Sequence, residues 1–404
     1  MPFNARLRVM NAYLKRLAVF LTAGAMLSGC VSPTDDALRP AVLRSVWLNG
    51  AAPVSAATTS VYFATDRLAA TDSGFTGGWN PGLTCGEAAV SLPSDREPGA
   101  NWGPWRTEAA PASFTHATLA SPIQSQDCSD HGERLAAAAE IENAAAAAHC
   151  DSVLIYIHGF NTTFPTALFT AAQFAHDTRY PCIVSTFSWA SDGLVNRYIE
   201  DSEEADLAAP ELLQFLRALG TSDKLKRIDV VAHSVGARVV LATIGELGRV
   251  ITLPRHPLIN ELVLAAPDVE TAVFASLVER ARPLVGRITV YVSKGDAALA
   301  ASRSTHGGVA RAGSVPDDLK TIPGIETIDA SNANGGFYGH SYFSESTDAM
   351  TDIAAALRDV PLAARASDRP PGLNCQAGAS TCMLWVSEVK KPSLLSNFVR
   401  WMSH

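Results

Sequence analysis

Residues 228–236 read Ile-Asp-Val-Val-Ala-His-Ser-Val-Gly, an apolar run that leads directly into a short turn. Such a run is typical of a strand that is buried on both faces of a parallel sheet. The residues from about Gly236 to Leu247 are predicted to form a helix. A strand, a tight turn and a helix in this order predict that the hydroxyl of Ser234 projects above the sheet, at the positive end of the helix.

The alternation of strands and helices continues on both sides of this segment. Apolar runs predict strands at 60–65, 88–92, 153–157, 182–187, 261–265 and 288–292. Helical patterns predict helices at 136–148, 165–178, 204–219, 270–282 and 346–358. Gly220 is expected to cap the third of these helices at its C-terminus. Repeated strand–helix units with short connections predict an α/β fold, a doubly wound and mostly parallel sheet with helices on both faces.

The N-terminus is predicted to be a bacterial export signal. Basic residues precede an apolar run of about 11 residues, which is too short for a comfortable membrane span. The sequence Leu27-Ser28-Gly29-Cys30 resembles a lipobox, in which cleavage leaves a lipid-modified Cys30 that holds the protein on a membrane. Val31 favours the outer membrane by resemblance to bacterial sorting signals, and an ordinary signal with a coincidental cysteine is the alternative. We therefore predict a location in the cell envelope, facing the periplasm or the cell surface.

The chain divides into four parts on these grounds. They are a signal peptide (1–29), a tether (30–58), a folded domain (59–365) and a C-terminal tail (366–404). Within the folded domain, residues 59–150 are predicted to hold strands, loops and a helix, and residues 151–358 to hold the core with the candidate site.

Composition excludes some classes of protein. Charged residues make up 18% and apolar residues 47% of the 404 residues, which is enough apolar material for a large core and excludes a chain disordered throughout. The net charge is −8, and no basic block follows the first twenty residues. A nucleic-acid-binding role is therefore not predicted.

Cysteine usage agrees with export. Six cysteines remain after Cys30, and an even number in an exported chain suits up to three disulfides, with 15 possible connectivities. They are Cys85, Cys128, Cys150, Cys182, Cys375 and Cys382. Cys375 and Cys382 are close enough in sequence to close a small loop. No C-x-x-C and no paired-histidine spacing occurs, so neither a metal site nor a cofactor is predicted.

Two turns carry the candidate chemistry. Ala232 and Gly236 are small residues at positions −2 and +2 from Ser234, which lets the turn close and makes Ser234 a candidate nucleophile. The second turn, His158-Gly159-Phe160, follows another buried strand. A turn of this kind supplies one backbone N–H of an oxyanion hole, here that of Phe160, and the N–H of Val235 would supply the other.

A serine becomes a strong nucleophile when an imidazole takes its proton and a carboxylate orients that imidazole. Asp296, just after the strand at 288–292, is the candidate acid, and His340, in a loop before the last helix, is the candidate base. These residues satisfy the order serine, acid, histidine. Asp268, at the end of the preceding strand, is the competing acid, although its side chain could instead cap the following helix.

The segment from Trp189 to Glu204 follows the strand predicted at 182–187 and is predicted to shape a substrate cleft as a cap. His158, Trp189 and Tyr198 are the candidate pocket residues. The alternative is a solvated connection in which these rings only pack.

Several motifs occur together and in a fixed order, namely Phe63-Ala-Thr-Asp-Arg67, Tyr156-Ile-His-Gly-Phe-Asn161, Ser188-Trp189, Ala232-His-Ser-Val-Gly236, Ala266-Pro-Asp268, Asp296-Ala-Ala-Leu299 and Gly339-His-Ser-Tyr342. This set resembles a bacterial family of esterase- or lipase-like α/β-hydrolases, the domain-of-unknown-function 900 family, over residues 60–358. The resemblance implies an α/β-hydrolase fold with Ser234 as nucleophile, Asp296 as acid and His340 as base. Members more often carry Met than Val at position 235, which leaves the backbone N–H intact.

The resulting hypothesis is an exported serine hydrolase that cleaves a small-molecule or lipid ester through an acyl-enzyme, without a cofactor. Amide, thioester or acyl-transfer chemistry on the same three residues is one alternative. A lipase activated at lipid surfaces is a second, and an envelope protein that uses the fold only for binding is a third.

Overall fold

The computed structural model describes residues 57–70, 74–92, 118–119, 123–250, 257–319, 321–333, 339–366, 372–375 and 380–386. The predicted signal peptide and its Cys30 lie outside these residues. Among the described helices, none is both long and apolar enough to cross a membrane.

A central sheet organises the described part of the chain. Its strands are β1 (Ala57–Ala69), β2 (Phe75–Leu92), β3 (Thr118–Leu119), β4 (Gln124–Asp127), β5 (Ser152–Ile157), β6 (Ile183–Ser188), β7 (Arg227–His233), β8 (Ile259–Ala265), β9 (Val285–Val292), β10 (Glu326–Asp329), β11 (Gly372–Cys375) and β12 (Thr381–Trp385).

The helices connect these strands and flank the sheet. They are α1 (His131–Ala147), α2 (Phe164–Asp177), α3 (Tyr198–Gly220), α4 (Val235–Val250), α5 (Thr271–Ala281), α6 (Ala297–Thr305), α7 (Pro316–Leu319), α8 (Tyr342–Glu345), α9 (Thr347–Ala356) and α10 (Leu362–Arg365).

The strands are ordered β11-β12-β10-β9-β8-β7-β5-β6-β1-β2-β3, with β4 also paired to β2. From β12 through β10, β9, β8, β7, β5 and β6 to β1 every pair is parallel, and antiparallel pairs occur at the two ends. The predicted α/β fold with a mostly parallel sheet is confirmed.

The apolar runs of the sequence correspond to strands covered on both faces. Every residue of β5 is buried. Its alternate side chains belong to different cores: Val153, Ile155 and Ile157 pack in one cluster, and Leu154 and Tyr156 in the other. Successive side chains of a strand point to opposite faces of the sheet. Both faces of a strand that lies between two helical layers are therefore buried.

Helix α3 departs from the prediction at both ends. It begins at Tyr198, inside the segment expected to form a cap, and it includes Gly220 as its last residue. The C-cap is Thr221, in a right-handed conformation, so Gly220 is not the cap that its position suggested. A Cβ on Gly220 would lie 2.6 Å from Cδ1 of Leu258, at the end of a flexible side chain that would have to shift.

The edges of the sheet also extend beyond the predicted strands. β2 runs over 18 residues, of which only 88–92 were predicted to form a strand, and β10 has only four residues and was not predicted. Part of the predicted tail forms β11 and β12, and β12 pairs with β10. The sheet therefore continues past residue 365.

All six remaining cysteines form disulfides. The pairs are Cys85–Cys128, Cys150–Cys182 and Cys375–Cys382. Three disulfides are typical of a protein that folds outside the cytoplasm, where thiols are not kept reduced.

Candidate active site

The candidate residues follow neighbouring parallel strands. Ser234 follows β7, Asp268 follows β8 and Asp296 follows β9, while the His158-Gly159 turn follows β5. Carboxyl ends of parallel strands meet at one edge of a sheet, so all of these residues lie at the same edge. Ser234, Asp268 and Asp296 are each at most 3% exposed, as is His340.

Ser234 occupies the turn between β7 and α4 with a backbone φ of +53°, a value that residues other than glycine rarely adopt. Neighbouring backbone holds it there. Its N–H donates to the carbonyl of Ala265 at 2.9 Å, and its carbonyl accepts from the N–H groups of Ala237 and Asp268 at 3.1 and 3.2 Å. A strained residue persists where its surroundings over-determine it, as these three bonds do here.

Two glycines bring the His158-Gly159 turn against this serine. A Cβ on Gly159 would lie 2.9 Å from Cβ of Ser234, and a Cβ on Gly236 would lie 2.7 Å from the carbonyl oxygen of Ile157. Both positions therefore need glycine. The contact places the backbone of Phe160 beside the turn that carries Ser234 and Val235.

His340 and Asp296 form a buried pair. Nδ1 of His340 lies 2.6 Å from Oδ2 of Asp296. The other carboxylate oxygen of Asp296 accepts from the N–H of Leu299 at 3.0 Å, so the carboxylate also caps α6. A carboxylate only accepts, so Nδ1 of His340 carries a hydrogen, and in the neutral ring Nε2 has a free lone pair. In the described part of the chain, no group is hydrogen-bonded to this buried Nε2.

The electrostatics of His340 favour its charged form. Burial lowers the pKa of His340, but the charge of Asp296 and the hydrogen bond to it outweigh burial, and the net change raises the pKa above its ordinary value. His233 is the residue before Ser234. Its ring centroid lies 4.6 Å from the ring centroid of His340 and 4.4 Å from that of Phe343. His340 is thereby placed next to the serine turn.

Asp268, the competing acid, has other partners. Its carboxylate accepts from Arg311 Nε at 2.6 Å, from Tyr198 Oη at 2.6 Å and from Ser302 Oγ at 2.7 Å. It does not cap the following helix α5, whose N-cap is Glu270 with no side-chain bond. The Asp268 carboxylate instead joins the start of α3, helix α6 and the segment before α7.

The three candidate pocket residues are all buried. His158 and Trp189 are 0% exposed and stacked with ring centroids 5.0 Å apart, and the indole N–H of Trp189 donates to the carbonyl of His158 at 2.8 Å. Tyr198 is 4% exposed and packs edge-on against Phe160 at 5.2 Å. These rings therefore pack in the protein interior next to the two turns.

Two arginines of this site were not singled out from the sequence. Arg311 lies in a segment of small residues, where nothing marks it as the partner of Asp268. Arg67 is 1% exposed and its Nη2 lies 3.4 Å from Nε2 of His158. The signal that could have found Arg67 is its place just after the predicted strand at 60–65, because an arginine that is buried there needs several acceptors.

In the described residues, no group of three or more His, Cys, Asp or Glu side chains could hold a metal ion.

Comparison with known proteins identifies the family of the chain. No curated protein matches the chain. The sequence profile of the family described as "Alpha/beta hydrolase of unknown function (DUF900)" matches residues 133–357, more than half of the chain. The resemblance drawn from the motifs is therefore confirmed, and the chain belongs to this family of α/β-hydrolases.

Proposed function

We propose that the protein is a serine hydrolase that cleaves carboxylic esters through an acyl-enzyme on Ser234, His340 and Asp296. One observation carries the proposal. Nδ1 of the buried His340 is bound to Asp296, and no described residue is hydrogen-bonded to its Nε2. This ring lies beside the turn that holds Ser234 at a positive φ. Proton acceptance by an oriented imidazole is what a serine hydroxyl needs to attack a carbonyl.

In the proposed reaction, Nε2 of His340 takes the proton of the Ser234 hydroxyl as its oxygen bonds to the carbonyl carbon. The developing oxyanion accepts hydrogen bonds from the backbone N–H groups of Phe160 and Val235, each worth about 3–4 kcal/mol in comparable sites. His340 then protonates the leaving alcohol. Water, deprotonated by the same imidazole, hydrolyses the acyl-enzyme and restores Ser234.

A fluorophosphonate probe followed by mass spectrometry tests the nucleophile. A single adduct on the peptide that contains Ser234, absent in Ser234→Ala, is the expected result. The matched control is Ser304→Ala, because Ser304 is a serine on the exposed side of α6. Folded protein that gives no adduct would contradict the proposal.

The acyl group is then defined with a panel of p-nitrophenyl esters of increasing chain length, with the corresponding amides and thioesters beside them. Preference for esters supports esterase chemistry, and faster amide or thioester turnover would reassign the reaction. A rate that is flat across the aggregation point of a long-chain ester would exclude a lipase activated at lipid surfaces.

We also propose that a lipid on Cys30 holds the enzyme on the outer membrane of the cell envelope. The three disulfides support a location outside the cytoplasm. Incorporation of labelled palmitate that disappears in Cys30→Ser is expected, with the label in the outer-membrane fraction; unlabelled protein would contradict the proposal.

A further inference from the structure

The His158-Gly159 turn contains a histidine whose side chain is aimed at its own backbone. Nδ1 of His158 lies 2.8 Å from the carbonyl oxygen of Gly159. A carbonyl oxygen only accepts, so Nδ1 carries the hydrogen. The Gly159 carbonyl belongs to the same peptide group as the N–H of Phe160, and in a trans peptide these two bonds point in opposite directions. Holding the carbonyl on one side therefore aims the Phe160 N–H to the other.

The opposite nitrogen of the ring faces donors. Nε2 of His158 lies 3.4 Å from Nη2 of Arg67 and 3.3 Å from Oγ of Ser188. A guanidinium has no acceptor, so the nitrogen beside it favours a lone pair. Burial, and after it the positive charge of Arg67, hold the pKa of His158 well below its ordinary value. The ring is neutral, with its one hydrogen on Nδ1.

Arg67 is itself held by the backbone around the turn. Its Nη2 donates to the carbonyl of Thr162 at 2.6 Å, its Nη1 to the carbonyl of Ser191 at 2.7 Å, and its Nε to Ser188 Oγ at 2.9 Å. The guanidinium thus joins the end of β1, the segment after β6 and the end of the turn that contains Phe160. A buried, multiply bonded arginine cannot move without breaking these contacts.

We infer that Arg67 and His158 are positioning residues for the oxyanion hole: Arg67 selects the ring tautomer of His158, and that ring fixes the Gly159–Phe160 peptide with its N–H directed toward the reacting carbonyl. This inference rests on the proposed function and deepens it. It also gives a role to Arg67 and Ser188, two motif residues that the three reacting residues leave unexplained. A glycine at 159 is needed for contact with Ser234, yet glycine leaves the peptide free to rotate. The His158 ring removes that freedom.

The first test reads the tautomer in the unsubstituted protein. Two-bond ¹H–¹⁵N correlation spectra at pH 7 should show His158 with Nδ1 protonated and Nε2 unprotonated, its signals assigned by their loss in His158→Asn. An Nε2-protonated ring or an imidazolium would overturn the inference, because neither allows Arg67 to act as described.

The second test measures turnover of a short-chain p-nitrophenyl ester. His158→Phe keeps the ring's bulk but removes the donor, so kcat should fall about 30–100-fold with KM within about twofold, approaching the loss of one oxyanion donor. His158→Asn places an amide N–H near the position of Nδ1 and should recover kcat to within about tenfold of the unsubstituted protein. The matched exchange His149→Asn, at an exposed histidine, should change neither constant.

A folded His158→Phe protein with unchanged kcat would overturn the inference, as would a rise in KM that accounts for the whole loss. If His158→Phe does not fold, the tautomer decides. If the unsubstituted protein neither labels with fluorophosphonate nor cleaves esters, the proposed function fails separately. The ring tautomer then still shows whether Arg67 and His158 fix the peptide.

Discussion

Asp296 and Asp268 are two buried carboxylates at the ends of adjacent parallel strands, and they differ in the cation that each one faces. They are 2% and 3% exposed, and β8 and β9 pair directly. Asp296 faces His340, whose charge depends on pH. Asp268 faces Arg311, whose charge is permanent at any physiological pH.

In the proposed mechanism, this difference gives Asp296 a role in proton transfer and Asp268 a structural role. The negative charge of a carboxylate that pairs with a permanent cation is compensated before any reaction begins. The remaining acceptor sites of Asp268 accept from the hydroxyls of Tyr198 and Ser302. A carboxylate beside a neutral imidazole becomes half of an ion pair only when that imidazole takes a proton. Burial and position at the sheet edge are common to both, so the partner determines the role.

The largest effect that follows from this comparison is on activity. Asp296→Asn should lower kcat/KM by about 10⁴-fold, because the amide favours the wrong tautomer of His340 and cannot stabilise its charged form. Ester hydrolysis at pH 8 measures it, with circular dichroism to show an intact fold. A variant that retains a tenth of the activity would remove Asp296 from the proposed triad.

Asp268→Asn should instead reduce stability, by about 3–5 kcal/mol, because it leaves the Arg311 charge buried without a counter-ion. Urea unfolding followed by tryptophan fluorescence gives the free energy of unfolding. At low temperature, where the variant is folded, its kcat/KM should stay within about tenfold of the unsubstituted protein. The assignment of the two acids would be reversed if this variant were as inactive as Asp296→Asn and equally stable.

A double-mutant cycle between Asp268→Asn and Arg311→Met isolates the buried pair. The two substitutions should be non-additive by about 2 kcal/mol or more, the double variant being more stable than their sum predicts. The exposed pair of Lys294 and Asp317 is the control, and its cycle should give less than about 1 kcal/mol. Additive behaviour at the buried pair would show that Asp268 is stabilised mainly by its hydroxyl donors.

The smallest effect is on the pH profile. His340 must be neutral to accept the serine proton, and its pKa is raised, so kcat/KM should fall on acidification with a midpoint above 6.5. Asp296 contributes more to this rise than Asp268 does. Initial rates at low substrate should therefore place the midpoint lower in both Asn variants, and furthest in Asp296→Asn. An unchanged midpoint in Asp296→Asn would show that another group controls the acid limb.

The local pattern of the chain was sufficient to predict most of the core. Mostly apolar runs predict β5, β7, β8 and β9 to within a few residues, since a strand covered on both faces carries apolar side chains at most positions. Short edge elements lack that constraint. The short strands β10 to β12 were not predicted: β10 pairs with β9 and β12, and β11 pairs with β12, across the Cys375–Cys382 disulfide.

Local sequence patterns were enough to predict that a serine lies on a strand-to-helix turn, that a His-Gly turn follows another strand, and that two acids and a histidine come later in the required order. Each of these is a property of a few adjacent residues. The three-dimensional fold was needed to show which acid contacts His340, which of 15 cysteine pairings forms, and that Arg67 reaches His158. Those contacts join residues that are distant in the chain, so their distances are set by how the strands are ordered and how the helices pack, and no local pattern records them.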